Sequence, residues 1–243
     1  MKKKKTTTIL VGLALLAGAS PSAAQIVNPY GSSGEGEFYG LDVTGMSGVV
    51  YVLDLSGSMA GQTGTTLERE GAGRLERGLG RMIGGRAGNI VQDKLAERRK
   101  RVEEAKREVA GAIEGMAPQA TFNILYFENV PHLWQSEMVT ATEEMKEEAE
   151  DFLDDLAEGG GTGMMQAMQK AFEQSPQIVI LVSDGEPTDA SPKDILDKVE
   201  ELNANGAVVI HTVVVGDDLD TTFMKQLAEQ NGGETILRGK GLI

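Results

Sequence analysis

Three oxygen-bearing side chains occupy alternate positions in Asp54-Leu55-Ser56-Gly57-Ser58. One is a carboxylate and two are hydroxyls; none offers nitrogen or sulfur. Hard donors of this kind suit Mg²⁺, Mn²⁺ or Ca²⁺ rather than zinc, with Mg²⁺ the first expectation. Two further donors lie downstream. Thr162 is the only side-chain oxygen in Gly159-Gly160-Gly161-Thr162-Gly163, and Asp184 follows the apolar run Ile178 to Val182 and Ser183. Asp54 and Asp184 would bring two negative charges, while Ser56, Ser58 and Thr162 would bring neutral hydroxyls. An ion held by so many neutral ligands stays electrophilic and keeps a position for an outside oxygen. An Asp or Glu carboxylate of another protein is the natural occupant.

Two strands must position these groups. Val49 to Leu53 is short, uncharged and β-branched, as is Ile178 to Val182, and both patterns fit strands buried on both faces of a parallel sheet. In such sheets ligands bind outside the carboxyl ends of strands, near the point where strand order reverses. Two strands that end in Asp, with a threonine on a glycine loop between them in sequence, can converge on one ion there.

On these residues the chain resembles the von Willebrand factor type A domain with its metal-ion-dependent adhesion site. The family's Asp-x-Ser-x-Ser corresponds to Asp54, Ser56 and Ser58, its loop threonine to Thr162, and its strand-end aspartate to Asp184. The resemblance runs from about residue 45 to about 239 and implies divalent-dependent capture of an acidic side chain on a protein partner. It also allows an assembly or chaperone subunit of the kind that works with cytoplasmic ATPases, against which an export signal argues. A metal-assisted hydrolase or phosphotransferase using Asp54 is the other alternative. Ser56 stands where the familiar Asp-x-Asp phosphatase start has its second acid, and no Gly-x-Ser-x-Gly elbow is present. The reading is therefore a binding module and not an enzyme.

The rest of the pattern alternates strands with helices. Expected strands lie near 48–54, 122–127, 177–183, 207–215 and 234–238, with a short antiparallel edge strand at Val130 to Trp134, where Pro131 is tolerable. Expected helices lie near 93–116, across Met145 to Leu156, from Met164 to Phe172, after Ser191-Pro192, and at 221–231. This order predicts a Rossmann-like, doubly wound, mostly parallel sheet with helices on both faces. His211 falls inside a strand and reads as a core or sheet-edge residue; His132, beside Pro131, reads as exposed. Glu186, Thr188 and Asp189 read as turn or rim residues around Asp184, and Met164, Met165 and Met168 as soft packing.

Residues 1–24 form an address. Lys2 to Lys5, the short apolar stretch Ile9 to Ala17, and Ser22-Ala23-Ala24 make a secretory signal with cleavage expected after Ala24. The apolar stretch is short for a membrane span, so a cleaved leader is favoured over a retained anchor. The mature protein is then expected in the bacterial periplasm or outside the cell, and not integral to the membrane. Residues 25–44 read as a loose lead-in, and 45–239 as the domain. The chain has no cysteine, which excludes disulfide scaffolds, thiolate metal sites and cysteine nucleophiles together. Its net charge of -14, which becomes more negative once the leader's lysines leave, argues against nucleic acid as a partner. Against this acidic body, residues 60–93 form a Gly/Arg-rich insertion with Arg69, Arg74, Arg77, Arg81 and Arg86. A segment this long between metal loop and first helix departs from the compact family pattern. It reads as a flexible or partly helical insertion lying over the domain, or as a basic lid beside the ion.

Overall fold

A computed structural model of the chain describes residues 37–43, 45–57, 101–157, 159–184, 187–216 and 221–238. The leader at 1–24, Ser58, the insertion at 60–93, the first residues of the helix expected from 93, and Glu186 lie outside the described residues.

The described residues begin with a small antiparallel hairpin, β1 (Glu37–Phe38) and β2 (Leu41–Asp42), before the first long strand, β3 (Val49–Asp54). Residues 101–114 are helical (α1) and lead to β4 (Thr121–Phe127). β4 turns back into two short segments, β5 (Pro131–Leu133) and β6 (Val139–Thr140). Two helices follow, α2 (Glu143–Asp155) and α3 (Met164–Glu173), and then β7 (Ile178–Ser183). The remainder is α4 (Pro192–Leu202), β8 (Val209–Val215), α5 (Thr222–Gln230) and β9 (Thr235–Arg238).

Among the described residues the main sheet has seven strands, running β5-β4-β3-β7-β8-β9, with β6 also paired to β4. β4, β3, β7, β8 and β9 are parallel to their neighbours, while β5 and β6 are antiparallel to β4. The expected edge strand is present, and β6 extends that same edge with a second short antiparallel piece. From β3 the chain crosses to β4 on one side and later returns to β7 on the other, so strand order reverses at β3. In sheets of this kind ligands bind beside such a reversal, which here falls at the carboxyl end of β3, where Asp54 sits.

Side-chain alternation splits β3 between two cores. Val49, Tyr51 and Leu53 face the layer built by α1 and α2 through Val102, Val109, Ile113, Ala149 and Leu153. Val50 and Val52 face the layer built by α3, α4 and α5 through Met164, Met168, Ile195, Val199, Phe223 and Leu227. Each fully buried aliphatic side chain of this kind contributes about 1.5–3 kcal/mol of transfer free energy. α1 and α2 are also cross-linked, Lys106 Nζ donating to the Asp154 carbonyl (3.3 Å) and Lys146 Nζ to the Glu114 carbonyl (2.8 Å). α4 starts as its sequence predicts, with Ser191 Oγ accepting from Asp194 N ahead of Pro192.

Residues 37–43 differ from the loose lead-in expected over 25–44. Phe38 and Tyr39 are fully buried, Phe38 meeting the Tyr51 ring edge-on at 5.7 Å. Tyr39 N donates to Glu108 Oε2 (2.8 Å), and the Arg238 guanidinium lies 5.1 Å from the Tyr39 ring. Burial, reinforced by Glu104 and Glu108, pushes the Tyr39 hydroxyl well above the usual tyrosine range. Phe38 and Tyr39, with Val43 also buried and Leu41 packed against the same cluster, anchor this stretch to the α1 layer. Among the described residues no helix is long and apolar enough to cross a membrane.

Candidate functional site

β3 and β7 are adjacent and in register, Leu53 opposite Val182, so their ends deliver Asp54 and Ser183 side by side. Ser183 Oγ donates to Asp54 Oδ2 (2.6 Å) and Ser56 N donates to Asp54 Oδ1 (2.9 Å). Asp184 comes next, close enough that its charge acts on Asp54. All of these groups are buried: Asp54 and Thr162 are 1% exposed, Ser56 0% and Asp184 5%. Burial first, and the Asp184 carboxylate second, push Asp54 up to about 7, against the lowering effect of its hydrogen bonds to Ser183 and Ser56.

The glycine loop is stitched onto the Asp54 turn. Gly57 N donates to the Gly160 carbonyl (2.6 Å), and Gly159 N to the Leu55 carbonyl (2.9 Å). The same loop rests on the turn after β4, where Gly160 N meets Glu128 Oε2 (2.7 Å), Gly161 N meets Asn129 Oδ1 (2.9 Å) and Gly163 N meets the Glu128 carbonyl (2.6 Å). A Cβ on Gly163 would stand 2.5 Å from the Asn129 carbonyl oxygen, so only glycine permits this approach. The loop after β7 closes the third side. Thr162 N donates to Thr188 Oγ1 (2.8 Å), Thr188 N donates to the Thr162 carbonyl (3.0 Å), and the Asp189 carboxylate accepts from Met165 N and Gln166 N at the start of α3 (3.2 Å each).

Of the five residues singled out in the sequence, Asp54, Ser56, Thr162 and Asp184 thus lie on three mutually bonded segments at the carboxyl end of the sheet; Ser58 lies outside the described residues. Among the described residues no group of three or more His, Cys, Asp or Glu is placed to hold a metal. A cation here would depend on hydroxyls beside two carboxylates, and that donor set fits Mg²⁺ or Mn²⁺. Sequence reasoning missed Glu128 and Asn129, which hold the glycine loop from the far side of β4; the polar pair directly after an apolar strand was the available signal. The histidines stand apart from the site. His211 is buried in β8, its Nδ1 accepting from Glu234 N (3.2 Å), and burial lowers its pKa below the ordinary range. His132, expected to be exposed, is half-buried because it stacks on Tyr126 at 4.8 Å between ring centres.

A doubly wound, mostly parallel sheet whose crevice gathers strand-end carboxylates and a glycine loop defines a Rossmann-like α/β domain. The family model for the von Willebrand factor type A domain matches residues 91–235, more than half of the chain, and the chain belongs to that family. The matched span includes Thr162 and Asp184 but begins after the Asp54 turn. Inter-alpha-trypsin inhibitor heavy chain 4 of Mus musculus is 26% identical over 149 residues, covering 55% of this chain and 16% of the relative. Von Willebrand factor A domain-containing protein 3A of Homo sapiens is 31% identical over 116 residues, covering 46% of this chain and 10% of the relative. The chain therefore spans less than a fifth of these curated relatives. Among solved structures, a von Willebrand factor type A protein from Catenulispora acidiphila superposes with a TM-score of 0.57 at 17% identity, covering 78% of this chain and 38% of that one. An aerotolerance-related membrane protein from Bacteroides fragilis gives 0.53 at 15% identity, covering 78% and 90%. At these identities the structural likeness speaks for the fold.

Proposed function

We propose that this domain binds a protein partner through a divalent cation, Mg²⁺ first and Mn²⁺ or Ca²⁺ as substitutes, held by Asp54, Ser56, Ser58, Thr162 and Asp184. Bound there, the ion would supply an electrophilic position for an Asp or Glu carboxylate of the partner. The observation that carries this reading is the burial of Asp54 beside Asp184 at the strand-order reversal, with the Thr162 loop hydrogen-bonded to the Asp54 turn at Leu55 and Gly57. Two carboxylates forced together away from water resist joint ionisation unless a cation lies between them. The hydroxyls of Ser56 and Thr162 suit direct coordination without cancelling the ion's charge. The residues at 1–24 are read as a leader that exports the domain, so that the mature chain begins at Gln25 and meets its partner outside the cytoplasm.

Titration calorimetry with Mg²⁺ and Mn²⁺ on the wild type and on Asp54→Ala tests the site. The wild type should bind one ion. Even outer partners of a metal are worth about 10–100-fold in affinity, so loss of Asp54 should cost at least that much. Wild-type protein that binds neither ion would overturn the reading. Capture from an envelope fraction by the protein that starts at Gln25, repeated with chelator, then tests the partner: proteins retained only with divalent ion are expected. Turnover of phosphoesters or esters by the loaded protein would instead favour an enzyme.

A further inference from the structure

Five consecutive backbone N–H groups, from Gly159 to Gly163, donate to acceptors outside their own loop. The acceptors are the Leu55 carbonyl, Glu128 Oε2, Asn129 Oδ1, Thr188 Oγ1 and the Glu128 carbonyl. A glycine-rich loop loses more conformational freedom on ordering than any other, so this one holds its shape only because other segments fix it. Three of the five anchors are side chains, and one of these acts on Thr162 itself. The Thr188 hydroxyl accepts from Thr162 N at 2.8 Å and lies 3.2 Å from the Thr162 carbonyl as a donor, while Thr188 N reaches that same carbonyl at 3.0 Å. Thr188 is exposed and Thr162 is buried, so little packing is served by this contact. The next residue, Asp189, bonds the first turn of α3, which starts two residues after Thr162. The segment after β7 therefore grips the threonine loop at two successive points.

We infer that Thr188 is a positioning residue of the cation site, fixing Thr162 against Asp54 and Asp184 so that donors on separate segments meet one ion. This rests on the cation reading above. The two donor-bearing loops, one ending in Thr162 and one beginning at Asp184, share no covalent connection shorter than α3 and β7. Among the described residues the Thr188 hydroxyl ties the two loops at Thr162 itself, adding to the Thr188 N bond and stiffening them as one donor set. Preorganisation of this kind raises affinity by removing the ordering cost at the moment of binding.

The test compares Mn²⁺ affinity in the wild type, Thr188→Val and Thr188→Ser, with the electron paramagnetic resonance spectrum of bound Mn²⁺ recorded at saturation. Valine keeps the shape and the backbone bond but removes both hydroxyl bonds; serine keeps the hydroxyl. Thr188→Val should bind about 10-fold or more weakly, and Thr188→Ser within about 3-fold of wild type. The saturated spectrum should change in the valine variant alone, which mere loss of fold stability would not produce. Wild-type affinity and spectrum in Thr188→Val would overturn the clamp while leaving the cation reading standing. Wild-type protein that binds no Mn²⁺ would overturn both. If Thr188→Val does not fold, Thr188→Ala, which also removes both hydroxyl bonds, is held to the same criteria.

Discussion

Asp54 accepts hydrogen bonds from Ser183 and Ser56, yet its folded pKa is raised from 3.8 to about 7 by burial and by Asp184. A carboxyl group whose pKa is raised by folding contributes stability that is fully present below its unfolded value and is lost as pH rises through the folded one. In metal-free protein that window runs from about 4 to about 7, and above it the ionised Asp54 opposes the fold. Asp54→Asn removes that opposition. With chelator at pH 8 the variant should melt above the wild type, and the difference should vanish by about pH 4. With Mn²⁺ at about 100 times its Kd the gap should narrow, since the wild type alone gains about 2.7 kcal/mol from the ion. Thermal melts across pH with and without Mn²⁺ read both halves, and a variant less stable than the wild type in chelator at pH 8 would show that the raised pKa is misassigned.

Among the elements, β3 and β7 were legible because five-residue β-branched runs with no charge have few alternatives, and their ends place Asp54 and Ser183. α4 was legible from Ser191-Pro192. The β1–β2 hairpin was not, because its burial rests on Phe38 meeting β3 and Tyr39 meeting α1 and β9, contacts that no local period records. Nor were the side-chain anchors of the glycine loop, which come from residues 26 to 32 positions away. Gly163 shows what that distance conceals. In sequence it is one more glycine; in the fold its missing Cβ lets the start of α3 press onto the Glu128–Asn129 backbone. Gly163→Ala must push two backbones apart, an overpacking strain of about 1–3 kcal/mol. We expect a lower urea midpoint with unchanged slope and weaker Mn²⁺ binding, because the displaced loop carries Thr162. A variant with wild-type midpoint and affinity would mean that the β4 turn yields and does not gauge the loop.

At the scale of the whole molecule, the chain carries a net charge of -14, and its proposed target is an acidic group. α2 alone presents Glu143, Glu144, Glu147, Glu148, Glu150, Asp151, Asp154 and Asp155, against a single Lys146. Two bodies of like charge repel over distances longer than a contact, while the attraction offered by a bridging cation acts only at coordination range. Salt separates the two terms. The screening length is about 10 Å at 0.1 M ionic strength, so added NaCl weakens the long-range repulsion and leaves the buried, close-range coordination largely untouched. For a partner that presents its Asp or Glu from an acidic surface, association at fixed, saturating Mg²⁺ should therefore quicken as NaCl rises from about 50 to 150 mM, with little change in dissociation. A complex of oppositely charged surfaces would behave in the contrary way, its on-rate falling steeply with salt. Surface-plasmon kinetics on a chelator-released partner, run at several NaCl concentrations, distinguishes them. A falling on-rate would locate the recognition in charge pairing elsewhere on the molecule and not at a cation between two carboxylates.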